Sequence, residues 1–247
     1  MSNFRDARLK VDRANKHIRD ATEVVRSLVE NYTVTVQVDS QTGYQHLVHA
    51  APDLVNACLE LSLIAGDALH NLRTALDYAW VATLKKHVST ANLDYAKFPI
   101  RDTRKELEDT LNGIHINATT QPKIFEVVMS SVQPYDGGKN GVVYTLHKID
   151  IRDKHLLRLS IEPLAGISDI VVEKGDGETV HGFGPTVQSV GPYVITFDRD
   201  IRVKQHGKLS INIVVEDAGI YNHVHVIDLL TKFSQVVLYY IKLLEDM

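Results

Sequence analysis

Polar side chains that could take part in catalysis or binding are concentrated between residues 66 and 78. At helical spacing they form two neighbouring stripes, and the 4-3-4 steps within each stripe let its members touch. The first stripe is Gly66, His70, Arg73 and Asp77, and the second is Asp67, Asn71, Thr74 and Tyr78. Between Leu61 and Leu84 there is no Lys or Glu, the usual residues of an exposed helix face. This mixture of titrating, anion-binding and hydrogen-bonding groups indicates a partly buried site. The alternative is a solvated face with weak ion pairs.

A second polar group stands at the end of a predicted helix that runs from Val142 to about residue 151. It contains Asp150, Asp153, Lys154 and His155. If the fold brings this corner to the first stripe, His155 would supply an imidazole beside Arg73. The alternative is ordinary helix termination, because cations are favoured at the C-terminal end of a helix dipole.

A metal site is a competing interpretation of the same residues. Asp67 and His70 lie one turn apart, and Asp77 continues that side of the helix. Asp150, Asp153 and His155 would complete a nitrogen and oxygen set for Zn, Mn or Fe. The chain lacks the Glu-x2-His pairs on separate helices that are typical of di-metal bundles. We therefore predict no metal and no other cofactor, and a metal-dependent helical-bundle hydrolase stays an alternative.

Two long amphipathic helices must position these residues. Apolar side chains recur at steps of 3 and 4 from Phe4 to Leu28, and again from Leu54 to Ala79 in a helix that Pro52 opens and that ends near Val88. A predicted β-hairpin at about 33–49 joins them. Shorter helices are predicted at 103–111, where Thr103 and Glu106 have capping-box spacing, and after Pro122. Together they predict an antiparallel pair completed into a bundle.

The pattern changes near residue 155. Strand-like runs at 156–161, 167–173, 193–197 and 209–215 are separated by glycine-rich turns, including His206-Gly207 and the segment 182–185. An apolar helical face returns from Val226 to Leu244, and we expect this last helix to pack on the bundle. The predicted fold class is α+β. It has a helical bundle with its hairpin at 1–155, and an antiparallel sheet with a C-terminal helix at 156–247, packed as one unit.

Composition narrows the function classes. The 247 residues have a net charge of -4, one cysteine and no long apolar run, which favours a cytoplasmic protein without a membrane segment. The negative net charge excludes a globally basic protein that coats nucleic acid. It does not exclude a local basic surface. The chain has no P-loop, G-x-S-x-G, G-x-G-x-x-G, C-x-x-C or H-E-x-x-H pattern, so it shows no local sign of the corresponding enzyme classes.

Four segments carry a resemblance to known sequences. They are Asp67 to Tyr78, Phe98-Pro99-Ile100, Gln133-Pro134-Tyr135 and Asp153-Lys154-His155. The chain resembles a widespread set of uncharacterised bacterial and phage proteins, which often have His where this chain has Tyr78. That resemblance spans most of the chain and implies one shared fold, without an established activity.

With His at that position the helix would contain Arg-x4-His, which resembles the motif of HEPN domains. These helical-bundle ribonucleases and RNA-binding proteins of toxin and defence systems pair an Arg and a His from two protomers. The resemblance implies phosphate stabilisation by Arg73 and puts Tyr78 at the position of the catalytic His. His70 and His155 are the other candidate catalytic residues, as alternative sources of an imidazole. Candidate substrate-binding residues are Asp67, Asn71, Asp77, Asp153 and Lys154.

This chain has Tyr78 where the motif has His, and a phenol is a poor base at neutral pH. Two versions of this function therefore stay open. One is a metal-independent ribonuclease and the other a degenerate RNA-binding relative, in bacterial defence or phage biology. Both imply RNA as a partner and a homodimer. A non-enzymatic protein-interaction module is the alternative from a different class.

Overall fold

The computed structural model describes residues 4–50, 53–89, 91–94, 96–156, 159–182, 187–188, 193–216 and 221–247. The described chain contains helices and antiparallel sheets, so the predicted α+β class is confirmed. It divides into two compact units: residues 1–21, 62–159 and 217–247, which we call the helical unit, and residues 22–61 and 160–216, which we call the sheet unit.

The long helices form as the apolar spacing predicts. Helix α1 (Arg5–Glu30) buries Phe4, Ala7, Val11, Ala14, Ile18, Ala21 and Leu28, and only Val25 of the predicted seam is half-buried. Helix α2 (Leu54–His87) buries its predicted stripe, including Leu61, Leu72 and Ala79. Pro52, which we expected to open α2, lies outside the described residues. No helix in the described ranges combines the length and the apolarity needed to cross a membrane.

Shorter helices complete the helical unit. Helix α3 (Arg104–Gly113) begins with the predicted capping box, in which the Glu106 N–H donates to Thr103 Oγ1 at 3.2 Å. Helix α4 (Pro122–Glu126) continues into a π-helical segment, Val127–Val132. A short 3-10 turn (Lys139–Gly141) leads into α5 (Val142–Leu156).

The last helix, α6 (Val226–Glu245), returns to the other helices as expected. Its Ser234 hydroxyl donates to Asn15 Oδ1 on α1 at 2.6 Å. Near its end the Glu245 carbonyl accepts from Lys86 of α2 at 3.2 Å. The buried face from Val226 to Leu244 therefore belongs to the core of the helical unit.

The sheet unit holds two antiparallel sheets. The first contains β1 (Thr33–Val38), β2 (Gln45–Ala50) and β6 (Tyr193–Phe197), in that order. In the second, β3 (Ile161–Glu173) pairs with β7 (Arg202–Val215) on one edge, and with β4 (Thr179–Gly182) and β5 (Val187–Gln188) on the other. Leu47 of the first sheet packs with Ile167 and Ile170 of the second to form its core.

Two expectations need correction, and a third is left untested. The strand predicted at 156–161 is wrong, because α5 extends to Leu156 and β3 begins only at Ile161. His206-Gly207 does not separate strands: β7 runs through it with Gly207 at φ +81°. The register with β3 shifts at Lys204, the extra β7 residue opposite Val171 and Val172. Most of the loop predicted at 182–185 lies outside the described residues.

The compact units also differ from the predicted boundary near residue 155. The hairpin pairs with β6 through Leu47 and Ile195, so it belongs to the sheet unit. Helix α6 instead belongs to the helical unit. Long-range strand pairing and helix packing set this division, and a change of pattern along the chain does not report either of them.

Candidate functional site

Helix α5 brings a buried carboxylate to the first polar stripe of α2. Asp150, whose side chain is 4% exposed, accepts at Oδ1 from His70 Nδ1 at 3.1 Å. Its Oδ2 accepts from Lys154 Nζ at 2.7 Å, one turn along α5. The His70 ring remains 49% exposed. The structure therefore unites one residue from each predicted group around a single carboxylate.

This arrangement fixes the proton on the His70 ring. A carboxylate accepts but cannot donate, so the nitrogen that faces Asp150 must carry the hydrogen. In the neutral imidazole, Nε2 is then the nitrogen that has the free lone pair. Among the residues that the structure describes, none forms a hydrogen bond with Nε2. His70 thus presents a proton acceptor from a half-exposed ring whose orientation a buried group holds.

Asp153 of α5 lies against Gly66, which is one turn before His70 on α2. A Cβ added to Gly66 would stand 2.7 Å from one Asp153 carboxylate oxygen and 2.8 Å from the other, so glycine is what lets this carboxylate sit against the helix. Burial raises the pKa of Asp153, and the nearby Asp150 and Asp67 carboxylates raise it further. The first stripe therefore faces α5 from Gly66 onward.

Arg73 occupies the centre of the site but is turned inward. It is 6% exposed. Nη1 donates to Asp77 Oδ1 at 2.5 Å and Nη2 donates to the Phe98 carbonyl at 3.3 Å. The Phe98 N–H donates to the same Asp77 oxygen at 2.8 Å. The ion pair consequently holds both backbone groups of Phe98, and it is not part of a solvated face.

The imidazole beside Arg73 is His147, which the sequence analysis missed. Arg73 Nε donates to His147 Nδ1 at 3.3 Å. Burial, reinforced by the Arg73 charge, lowers the pKa of His147 to about 4. The ring is therefore neutral at neutral pH and suited to accept that hydrogen bond. The sequence could have indicated His147, because it shares one face of α5 with Asp150 and Lys154 at steps of 3 and 4 residues.

The second stripe meets α1 instead. Asn71 donates to the backbone of Asp67 at 2.8 Å and lies 3.5 Å from Lys10 Nζ. The same ammonium stands 5.9 Å from the centre of the Tyr78 ring, which is 44% exposed. Tyr78 and Arg73 therefore occupy different sides of α2, one on the surface and one in the core.

His155 belongs to the last turn of α5, but its side chain is outside what the structure describes. Its predicted contact with the first stripe therefore stays a prediction. In the described parts of the chain, no three His, Cys, Asp or Glu side chains converge in a way that could hold a metal ion.

Two further segments singled out in the sequence, at 98–100 and 133–135, lie next to this site. Arg73 and Asp77 together hold the Phe98 backbone, an arrangement that we call the clamp. Three residues further along the chain, the Arg101 N–H donates to the Pro134 carbonyl at 3.1 Å. Arg101 and Tyr135 form an isolated parallel bridge. Asp102 then accepts from Tyr144 and Lys148 of α5, at 2.8 and 2.9 Å. Helix α5, the π-helical segment and α2 are tied together through this short stretch.

Comparisons of the chain with protein-family models, with curated proteins and with solved structures found no match. The residues themselves, and the geometry in which they meet, carry the functional argument.

Proposed function

We propose that this protein is RNA-directed and cleaves RNA without a metal ion, with His70 as the general base. One observation carries the proposal: a half-exposed imidazole is oriented through Nδ1 by the buried Asp150 carboxylate, which also holds the Lys154 ammonium. A positioned imidazole next to a cation is the minimal equipment for phosphodiester transfer by an internal hydroxyl.

The proposed step begins at the ribose 2′-hydroxyl. Nε2 of His70 takes its proton, and the 2′-oxygen forms a bond to the adjacent phosphorus. The bond from phosphorus to the 5′-oxygen breaks, and that oxygen leaves as a hydroxyl with a proton from solvent water, to which the His70 imidazolium then returns the proton it took. The products are a 2′,3′-cyclic phosphate and a 5′-hydroxyl end. Asp150 stabilises the imidazolium that forms, because its carboxylate faces the other ring nitrogen.

Lys154 is the proposed phosphate partner. Its side chain is 42% exposed and already lies beside the His70 and Asp150 pair. Arg73 has three N–H groups committed inside the protein, so its proposed role is to position Phe98 and His147. Because Asp67 and Asp153 flank the site, few phosphates are neutralised. We therefore expect RNA affinity with a shallow salt dependence.

The proposal also includes a homodimer that works in the cytoplasm. The second stripe leaves Tyr78 and Asn71 on the surface beside α1, where a second copy would meet them. A monomeric mass by light scattering at micromolar concentration would remove this part of the proposal and leave the His70 chemistry intact.

The first experiment is cleavage of total RNA by the pure protein, with and without EDTA. We expect cleavage in EDTA, lost in His70→Gln and reduced in Lys154→Gln. His17→Gln, which removes an imidazole on α1 outside the site, serves as the matched control and should stay active. Activity that EDTA abolishes would favour the metal-dependent hydrolase, and an inactive but folded wild type would contradict the nuclease.

A non-enzymatic interaction module is the second candidate, and it has its own observation. Two apolar side chains flank the site: Leu63, 65% exposed, on the α2 face that also holds Asp67 and His70, and Ile151, 40% exposed, next to Asp150. Exposed apolar residues beside oriented polar groups are typical of protein-binding surfaces. Loss of partner binding in Leu63→Ser, with no RNA cleavage by wild type, would select this function.

A further inference from the structure

A pocket of about 420 Å³ opens in the helical unit next to Arg73 and His147, lined by α2, α3, α5 and residues 91–92 and 96–101. Its volume is within the range of small-molecule sites, about 300–1,000 Å³. Its lining divides into a buried apolar part and an exposed cationic part.

Its inner wall is apolar and rigid. Trp80 and Phe98 line it and pack edge to face, with ring centres 5.7 Å apart. Leu84 and Ile100 line it as well, and all four residues are almost fully buried. Since the clamp of Arg73 and Asp77 holds the backbone of Phe98, this wall is fixed before any ligand arrives.

The polar part of the lining is cationic. Lys97 and Arg101 are exposed and also line the pocket, and they mark its mouth. Arg101 is held in place: Nε donates to Thr110 Oγ1 and Nη1 donates to the Ile100 carbonyl, both at 2.8 Å. No described residue of the lining is an Asp or a Glu.

We infer that this pocket binds a small organic anion with an apolar body, such as an aromatic carboxylate or sulfonate. The apolar body would contact the partly exposed Ala91, Ala96 and Ile114 in front of the buried wall, and the anionic group would meet Arg101 and Lys97. The charge of Arg73 is already balanced by Asp77, so the recognition of the anion belongs to the two residues at the mouth. This inference does not depend on the proposed RNA chemistry.

The chain supplies its own reporter, because Trp80 is its one tryptophan. We would titrate the full chain with 1-anilinonaphthalene-8-sulfonate and follow energy transfer from Trp80. N-phenyl-1-naphthylamine, an uncharged compound of similar shape, is the comparison probe. We expect saturable one-to-one quenching by the sulfonate and weaker binding of the uncharged probe.

Three variants locate the binding. Ala96→Phe adds a ring inside the lining and should abolish the energy transfer. Arg101→Gln should weaken sulfonate binding about fivefold, the scale of one exposed ion pair. Arg104→Gln removes the same charge from an exposed residue outside the lining and should change nothing. Melting curves confirm that each variant folds.

The inference fails if wild type shows no saturable quenching, or if the uncharged probe binds as tightly as the sulfonate. It also fails if Arg101→Gln and Arg104→Gln behave alike. Should Ala96→Phe not fold, the comparison of the two arginine variants and of the two probes still decides the question.

Discussion

Replacing Arg73 is the sharpest test of the geometry around α2. Arg73→Ala leaves the Asp77 carboxylate without its cation, and it also removes the donors to the Phe98 carbonyl and to His147. Removing one partner of a buried ion pair costs about 3–5 kcal/mol of unfolding free energy. Asp77 is 24% exposed and keeps the Phe98 N–H, so the lower end applies. We expect a loss of about 2–4 kcal/mol.

Arg73→Lys separates charge from shape. Lysine keeps the positive charge near Asp77 but has no planar fork to reach Phe98 and His147 at the same time. We therefore expect an intermediate loss of about 1–2 kcal/mol. For a chain of this size each kcal/mol lowers the melting temperature by about 2–4 °C, so Arg73→Ala should melt about 5–15 °C below wild type.

Urea unfolding followed by Trp80 fluorescence is the suitable assay, because Trp80 lies in the helical unit and contacts Phe98. Arg13→Ala, at an exposed position of α1, is the control and should change stability by less than about 0.5 kcal/mol. If Arg73→Ala and Arg73→Lys both changed the free energy of unfolding as little as Arg13→Ala, the inward ion pair of Arg73 and Asp77 would be refuted. The first stripe would then be a solvated helix face.

Three further predictions concern titration, packing and capping. The folded pKa of His147 is about 4 and an unfolded histidine titrates near 6.5, so the unfolded chain binds more protons between these values. Wild type should therefore lose up to about 3 kcal/mol as pH falls from 6.5 to 4, and urea titrations of His147→Gln should show this loss missing. Gly66→Ala should bring no helix-propensity gain in wild type, because the new Cβ meets Asp153, but should stabilise Asp153→Ala by about 0.5–1 kcal/mol in the same assay; equal effects in both backgrounds would contradict that contact. Thr103→Ala should cost about 1 kcal/mol through the lost cap of α3, measured by thermal melting, and an unchanged melting temperature would contradict it.

Most of the secondary structure could be predicted because it depends on local spacing. The seams of α1 and α2, the hairpin and the cap of α3 are all patterns within a few turns of chain. The end of α5 was harder: Leu156 to Ile161 is apolar enough for a strand, and only packing decides where a helix stops. His206-Gly207 was predicted to be a turn because glycine is common in turns, but Gly207 keeps its positive φ inside β7.

The candidate site was predictable in composition but not in orientation. The stripes on α2 were visible, and so was the polar end of α5. Which nitrogen meets which carboxylate depends on the rotation of two helices against each other, which spacing does not specify. His147 was overlooked because its importance comes from a partner 74 residues away, Arg73. A residue's burial and its distant partner are properties of the packed fold.

In the proposed reaction, His70 removes the proton of a ribose 2′-hydroxyl without a metal ion. A DNA oligonucleotide with a single ribonucleotide, incubated with the pure protein in EDTA, tests it most directly. We predict cleavage only after the ribonucleotide, a 2′,3′-cyclic phosphate on the product, and at least about a hundredfold loss of rate in His70→Gln. An uncut oligonucleotide, cleavage of the all-DNA version, or a fully active His70→Gln would contradict the account.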